Sequence, residues 1–445
     1  MQRNAFANIV GTTLKTAVVT IVLVANALIW YFYAFEVLMN TVTYAGFASS
    51  EVIAVFGINL LGIASAALLS PTLMYKVRRR TRFIFYWMLA GAILSLMPVG
   101  INITTFPTLM LFSALVGVYF GLGMPTCLGY FAASTEAVNR SRLGGLTFLF
   151  VFLGFFLFVS MGIEDVVLNA MILSLFKIIG LLLLFLLKPG EKQIGQSDRV
   201  SYSFIFKNRS FLLYFIPWLM FSVVNYTAVP IVDSIGKVFS DEIANLSPVI
   251  ENVTAGIFAV VFGFFADFVG RKRLILAGFS LLGVGYACLG LFLGNIYAWW
   301  FYTIADGIAW GAFYTIFIMT LWGDLSQEKS SEKYYAIGSL PFLFSNFMRL
   351  SISTYVAAIS ESAVFSFASF FLFLAVLPLI YAPETLPEKK MKERELKKYI
   401  EKAKKVKEKA QKKETEKTQR ENGDAEVESE SEYFKEKLKE AEKYY

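Results

Sequence analysis

Four ionisable residues stand inside long apolar stretches of this 445-residue chain: Lys177, Glu251, Asp306 and Arg349. A charge at bilayer depth costs a few kcal/mol or more unless it faces a protein interior, so position alone makes each a functional candidate. The chain has no His and 2 Cys, Cys127 and Cys288, which excludes or nearly excludes imidazole acid/base chemistry, Cys/His zinc sites and a disulfide framework. Carboxylates, Lys, Arg, amides and hydroxyls remain. They form no nucleophile triad, metal cluster or Gly-rich phosphate loop, so the expectation is a non-enzyme with no cofactor and no metal.

Asp306 and Arg349 make the strongest pair. At the helical rise, Asp306 falls ~13 Å and Arg349 ~9 Å from the same end of their apolar stretches. Two readings stay open, substrate binding or ion coupling against a buried structural pair, and Glu251 is placed to join either. Trp310 and Tyr314 follow Asp306 at i+4 and i+8, which puts a carboxylate and two rings on one helix face. That face suits a cationic or amphipathic ligand, or packs against neighbouring helices. Asn225, Tyr226 and Asn26 could bond a substrate or tie helices together. Lys177 has three readings: substrate contact, snorkelling, or a contact to a carbonyl. Glu36, Glu164 and Asp165 lie at stretch ends and read as solvated.

The elements that must position these residues follow from composition. Hydrophobic residues make up 56% and charged residues 17%, and a soluble domain averages about 45–50% and about 25%. Twelve stretches are long enough to cross a bilayer, at 14–37, 51–74, 83–103, 107–132, 142–163, 166–187, 209–231, 247–266, 273–294, 297–322, 335–358 and 362–381. Continuous apolar runs without period-two alternation predict helices rather than a barrel. With the N-terminus inside, 19 Lys and Arg before residue 383 fall on inside segments and Lys237 alone on outside loops. The expectation is therefore a multi-pass protein of the plasma membrane with both termini cytoplasmic. Of the +7 net charge, +5 belongs to residues 1–382, where the loop bias accounts for it, so nucleic acid is not an expected partner.

Short echoes cross the polar loop 188–208. Gly117-x-x-x-Gly121 matches Gly307-x-x-x-Gly311, Arg80–Ile84 matches Arg271–Ile275, and Gly144–Phe150 matches Gly338–Phe344. Three echoes at equivalent places predict a six-plus-six duplication. The boundaries are 1–187 for a first six-helix bundle, 188–208 for a central loop, 209–382 for a second bundle and 383–445 for a charged tail. The small-residue spacings read as close helix packing. In the tail, Leu396, Tyr399, Ala403, Val406 and Ala410 form a short heptad-like stripe.

Gly263-Phe-Phe-Ala-Asp267-Phe-Val-Gly270-Arg271-Lys272-Arg273 resembles the loop signature of the major facilitator superfamily, and Pro383-Glu384-Thr385 follows the last stretch as that family has it. The resemblance covers about residues 10–387. It implies an all-α integral membrane fold of twelve transmembrane helices in two six-helix bundles. It also implies a cytoplasmic gate in which Asp267 caps a neighbouring helix and pairs with an Arg, Arg271 sharing the role. The chain departs from the family at 72–82, where the first-half loop keeps its basic end without the Asp and Gly. Ser113 replaces a frequent Arg, and the Gly-Pro antiporter signature is missing from 144–162. The expected activity is secondary active, ion-coupled symport or antiport of a small organic solute by alternating access, with proton or sodium as coupling ion, by a monomer in the lipid bilayer. A passive facilitator and a non-transporting receptor or scaffold on the same fold are the alternatives. Asp306, Glu251 and Arg349 are the expected coupling groups, with Asn225, Tyr226 and Trp310 beside them.

Overall fold

In the computed structural model, residues 13–190, 199–327, 329–356, 358–386 and 431–439 are described. Residues 191–198 of the central loop 188–208 and the stripe at 396–410 lie outside them. The first of two units ends at Leu386. It contains α1 (Leu14–Ala45), α2 (Ser49–Val77), α3 (Arg80–Gly100), α4 (Phe106–Ser134), α5 (Arg140–Ser160) and α6 (Val166–Leu187). After a short helix, Tyr202–Lys207, come α7 (Arg209–Phe239), α8 (Asp241–Val269), α9 (Arg271–Leu291), α10 (Ile296–Leu325), α11 (Ser331–Val356) and α12 (Glu361–Tyr381). The second unit, from Pro387, is described at 431–439, an exposed helical segment.

Eleven of the twelve helices are long and apolar enough to cross a membrane. The exception, α11, has the length, 26 residues, but carries Glu332, Lys333, Arg349 and several serines. It packs against α2, α4 and α7, and that protein surround makes its polar groups tolerable. The most deeply enclosed of the eleven are α1 and α10, whereas α6 and α8 show most surface to their surroundings.

Three helices start or end well away from the expected bounds, α7 by running on past residue 231 to Phe239. α1 runs on past residue 37 to Ala45, where Gly46 turns left-handed at φ 66 and stops it. α8 begins at Asp241 rather than 247, because Ser240 caps Ile243 N and two acids fill the positive first turn. Pro248 is absorbed inside that helix. Inside α10, residues Tyr314–Thr320 wind as a π-helix, which no apolar pattern announces.

The two halves repeat their packing. A Cβ on Gly117 would stand 2.2 Å from the Asn59 carbonyl oxygen, and one on Gly121 2.4 Å from that of Ile63, so α4 lies directly on α2. Gly307 and Gly311 do the same for α10 on α8, at 2.7 Å from the Glu251 carbonyl and 2.8 Å from that of Ala255. Across the halves, α5 meets α8 through Gly145, whose Cβ would stand 2.1 Å from the Ala259 carbonyl oxygen, and α11 meets α2 and α4.

Candidate functional site

The enclosed face of α10 carries the acid. Asp306 is 4% exposed. Its Oδ2 accepts a hydrogen bond from Tyr302, one turn earlier, at 3.2 Å, and its Oδ1 is buried without a partner. The Tyr302 hydroxyl lies 3.3 Å from that of Tyr286 on α9, and Tyr286 in turn reaches Asn225 Oδ1 on α7 at 2.8 Å. The ion pair of Asp306 with Arg349 considered from the sequence does not form; tyrosine hydroxyls take its place.

Around this line the remaining candidates gather. Trp310 stacks on Tyr314 at 4.8 Å between centroids, and Tyr226 stands edge-on to Trp310 at 6.0 Å. Tyr314 also stacks on Phe148 of α5 at 4.7 Å, so the first half contributes to the wall. Tyr226 lies within electrostatic reach of Arg349, Glu251 and Asp306. Glu251 is half-buried on α8, with its carbonyl against Gly307, one residue past Asp306. Helices α7, α8, α9, α10 and α11 thus bring two carboxylates, a guanidinium, an amide and a set of aromatic faces to one region. Such a region can bind a polar solute with an apolar face, or hold a proton on a carboxylate.

The first half holds a different arrangement. Lys177 of α6 is 0% exposed, and its Nζ faces Trp87 at 4.5 Å, Trp30 at 5.0 Å and Tyr119 at 5.4 Å. Its one hydrogen bond goes to the Asn26 carbonyl at 3.5 Å. It does not snorkel. Glycines seat the rings: a Cβ on Gly123 would stand 1.8 Å from Trp87, and one on Gly91 2.0 Å from the Tyr119 hydroxyl. Asn26 ties α1 to α6 by donating to the Phe176 carbonyl at 3.0 Å. Glu36, Glu164 and Asp165 line a cavity of about 900 Å³ with Tyr33, Asn40 and Asn169, and Asp165 also caps Leu168 N at 2.6 Å. This cavity is bounded by first-half residues and does not include Asp306.

A third set of residues ties the halves together at the face where α1 begins and α12 ends. Asp267 is wholly buried at the N-terminus of α5. It accepts from Ser141 N at 3.4 Å, Arg142 N at 3.1 Å, Arg142 Nε at 3.0 Å and Arg271 at 3.2 Å. Gly263 lets α8 approach α5 here, since its Cβ would stand 2.7 Å from the Ser141 carbonyl oxygen. Arg271 Nε lies 3.1 Å from Asp324, which also pairs with Arg140, and Arg271 donates to the Ala137 carbonyl. Gly270, at φ 105, leaves room for Glu384, which accepts from Arg271 N and Lys272 N and so caps α9. Lys272 Nζ donates to the Ile380 carbonyl at 2.6 Å, and Arg273 is exposed.

The matching first-half loop lacks an acid, and α11 supplies one. Arg80 pairs with buried Glu332, and Tyr75 donates to Ser330 at 2.9 Å. The two ion-pair sites therefore have opposite polarity: in one the end of α8 brings a carboxylate to the basic start of α5, in the other the start of α3 brings a guanidinium to the acidic start of α11. Sequence reasoning did not single out Glu332, Asp324, Arg140, Arg142, Tyr286 or Tyr302. A signal existed for Tyr302, which is one turn before Asp306 on the same face.

The helices, their repeated close packing, the enclosed acid and the paired charges across one face define a helical membrane protein with a polar interior. The profile of the Major Facilitator Superfamily matches residues 211–417. The solved structure of the proton:xylose symporter XylE is similar, with 17% identity over 83% of this chain and 96% of that one and a TM-score of 0.60. The human organic anion transporter MFSD10 has 16% identity, over 83% and 100%, with a TM-score of 0.60. The E. coli fucose:proton symporter FucP has 11% identity, over 83% and 98%, with a TM-score of 0.62. No curated protein matches the sequence significantly. The second half of the chain thus matches the family profile, and the solved structures share the fold of the whole helical part.

Proposed function

We propose that this protein is a secondary active transporter that moves a small organic solute by alternating access of two six-helix halves, coupled to a proton carried by Asp306. The observation that carries the reading is that carboxylate: enclosed on α10, with one oxygen lacking a partner, on the face shared with Trp310 and among Tyr226, Glu251 and Arg349. A carboxyl group there changes the charge of the region when it gains or loses a proton, and so changes which orientation is preferred. Two of the similar structures are proton symporters of sugars, which supports both the coupling ion and a polar organic cargo. In this reading the face of the Asp267 and Arg80 networks is cytoplasmic, as are the termini, and the conformation described is sealed on that side.

The test is Asp306→Asn in proteoliposomes, with uptake driven by an imposed pH gradient and cargo chosen by thermal stabilisation across a panel of sugars and organic acids. The expected result is loss of accumulation with exchange retained. Unchanged accumulation removes Asp306 from the coupling.

A further inference from the structure

The line from Asp306 to Asn225 has a hydrogen count that sets its behaviour. Four oxygens, Asp306 Oδ2, the Tyr302 and Tyr286 hydroxyls and Asn225 Oδ1, make three successive contacts of 3.2, 3.3 and 2.8 Å. Each contact needs one proton, and the two hydroxyls supply one apiece. With Asn225 Oδ1 turned inward, the third proton must sit on Asp306: the acid donates to Tyr302, Tyr302 to Tyr286, and Tyr286 to the amide oxygen. When Asp306 is ionised, the line can be complete only in reverse. Asn225 then turns its Nδ2 inward and donates to Tyr286, Tyr286 to Tyr302, and Tyr302 to the carboxylate.

A proton on Oδ1 would also leave the reverse line complete, but that buried O–H then has no acceptor, and the remaining polarities leave a buried contact between two oxygens without a hydrogen; both are costly in a site this dry. Tyr286 is 0% and Tyr302 3% exposed, so water does not stand in for the missing proton. Asn225 is 2% exposed, and among the described residues its Nδ2 has no hydrogen-bond partner, so none of them holds the amide a second time.

We propose that Tyr302 and Tyr286 are positioning residues that transmit the protonation of Asp306 to the amide of Asn225. A proton on Asp306 leaves Nδ2 facing the solute region as a donor, and its loss presents Oδ1 as an acceptor. The proton that arrives or leaves is exchanged with solution at the Asp306 carboxyl; no O–H bond of either tyrosine breaks, the hydroxyls only rotate. The solute group that meets Asn225 is thus one that accepts a hydrogen bond in the protonated form, such as a hydroxyl, carbonyl or carboxylate oxygen, and is refused when that form is lost. The ionisable neighbours that bear on this equilibrium are Glu251 from α8, Tyr226 from α7, Arg349 from α11 and Tyr314 on α10 itself. On the π-helical part of α10, α5 presents the uncharged rings Phe148 and Phe152.

The inference rests on Asp306 being the coupling carboxylate, and infrared difference spectra of the purified protein across a pH titration separate the two. The carboxylic acid carbonyl band of Asp306 is identified by its loss in Asp306→Asn, and the side-chain amide band of Asn225 by its loss in Asn225→Leu. The expected result is that both bands shift at the same pH in the native protein. In Tyr286→Phe, which keeps the ring and does not touch Asp306, the acid band still titrates and the Asn225 band stops following it. An Asn225 band that is silent while Asp306 titrates overturns the relay and leaves the coupling role intact, as does one that still follows in Tyr286→Phe. A spectrum with no titrating band that Asp306→Asn removes overturns both.

Discussion

Replacing Asp267 by Asn keeps the volume of the side chain and removes the charge and one acceptor. At least four donors converge on the carboxylate, Ser141 N and Arg271 on Oδ1 and Arg142 N and Nε on Oδ2. With the amide nitrogen in place of Oδ2, the contacts from Arg142 N at 3.1 Å and Arg142 Nε at 3.0 Å become donor against donor. Each lost charge-assisted bond is worth about 1.5 kcal/mol at the low end of its range, so the sealed face loses about 3 kcal/mol. Because Arg142 belongs to α5 and Asp267 to α8, these bonds exist only while the halves meet here, and the whole loss falls on the sealed state. The open population should rise roughly 100-fold.

Ser339 on α11 lies beside a small void with Ile63 and Phe120, between the halves, and Ser339→Cys is reached by a thiol reagent only when they part. In a background with Cys127→Ala and Cys288→Ala, Asp267→Asn should raise its labelling rate by about that factor. A change of less than about threefold, with melting temperature and helix content unaltered, would refute the claim that these bonds hold the face shut.

Three further outcomes follow from local geometry. Gly270→Ala forces a Cβ to 2.3 Å from Glu384 at φ 105, and should cost at least about 1–3 kcal/mol, read as a fall in melting temperature. Gly117→Ala should destabilise more than Gly307→Ala, because the added carbon meets a carbonyl oxygen at 2.2 Å in the first case and 2.7 Å in the second; the reverse order in thermal denaturation would count against the packing. Trp87→Leu removes the ring nearest Lys177 and the bond from its indole to the Tyr119 carbonyl at 2.7 Å, for a loss of about 2–4 kcal/mol in denaturant unfolding.

The spans were legible because a bilayer demands about twenty apolar residues whatever they pack against, and the repeated close packing of α4 on α2 and α10 on α8 because Gly-x-x-x-Gly is a local pattern with a local cause. Helix ends were less legible. The start of α8 depends on Ser240 and two acids outside the apolar run, and the π-helical turn of α10 leaves no mark on hydropathy. The ion-pair partners at that face were not legible at all, because Arg80 and Glu332 are 252 positions apart and Arg140 and Asp324 are 184 apart. Tyr286 and Tyr302 escaped notice for a different reason: among 22 tyrosines, nothing in the composition separates a structural hydroxyl from one that connects an acid to an amide.

The enclosure of Lys177 bears on how the chain is made. Its partners Asn26 and Trp30, Trp87 and Tyr119 lie on α1, α3 and α4, all earlier in the sequence than α6. A lone lysine at the centre of an inserting helix costs about 3 kcal/mol, but α6 leaves the ribosome after every residue that receives its ammonium. The order of synthesis therefore delivers the cation to a berth already in place, and the reverse order, with α6 moved ahead of α1 by circular permutation, would expose it to lipid alone.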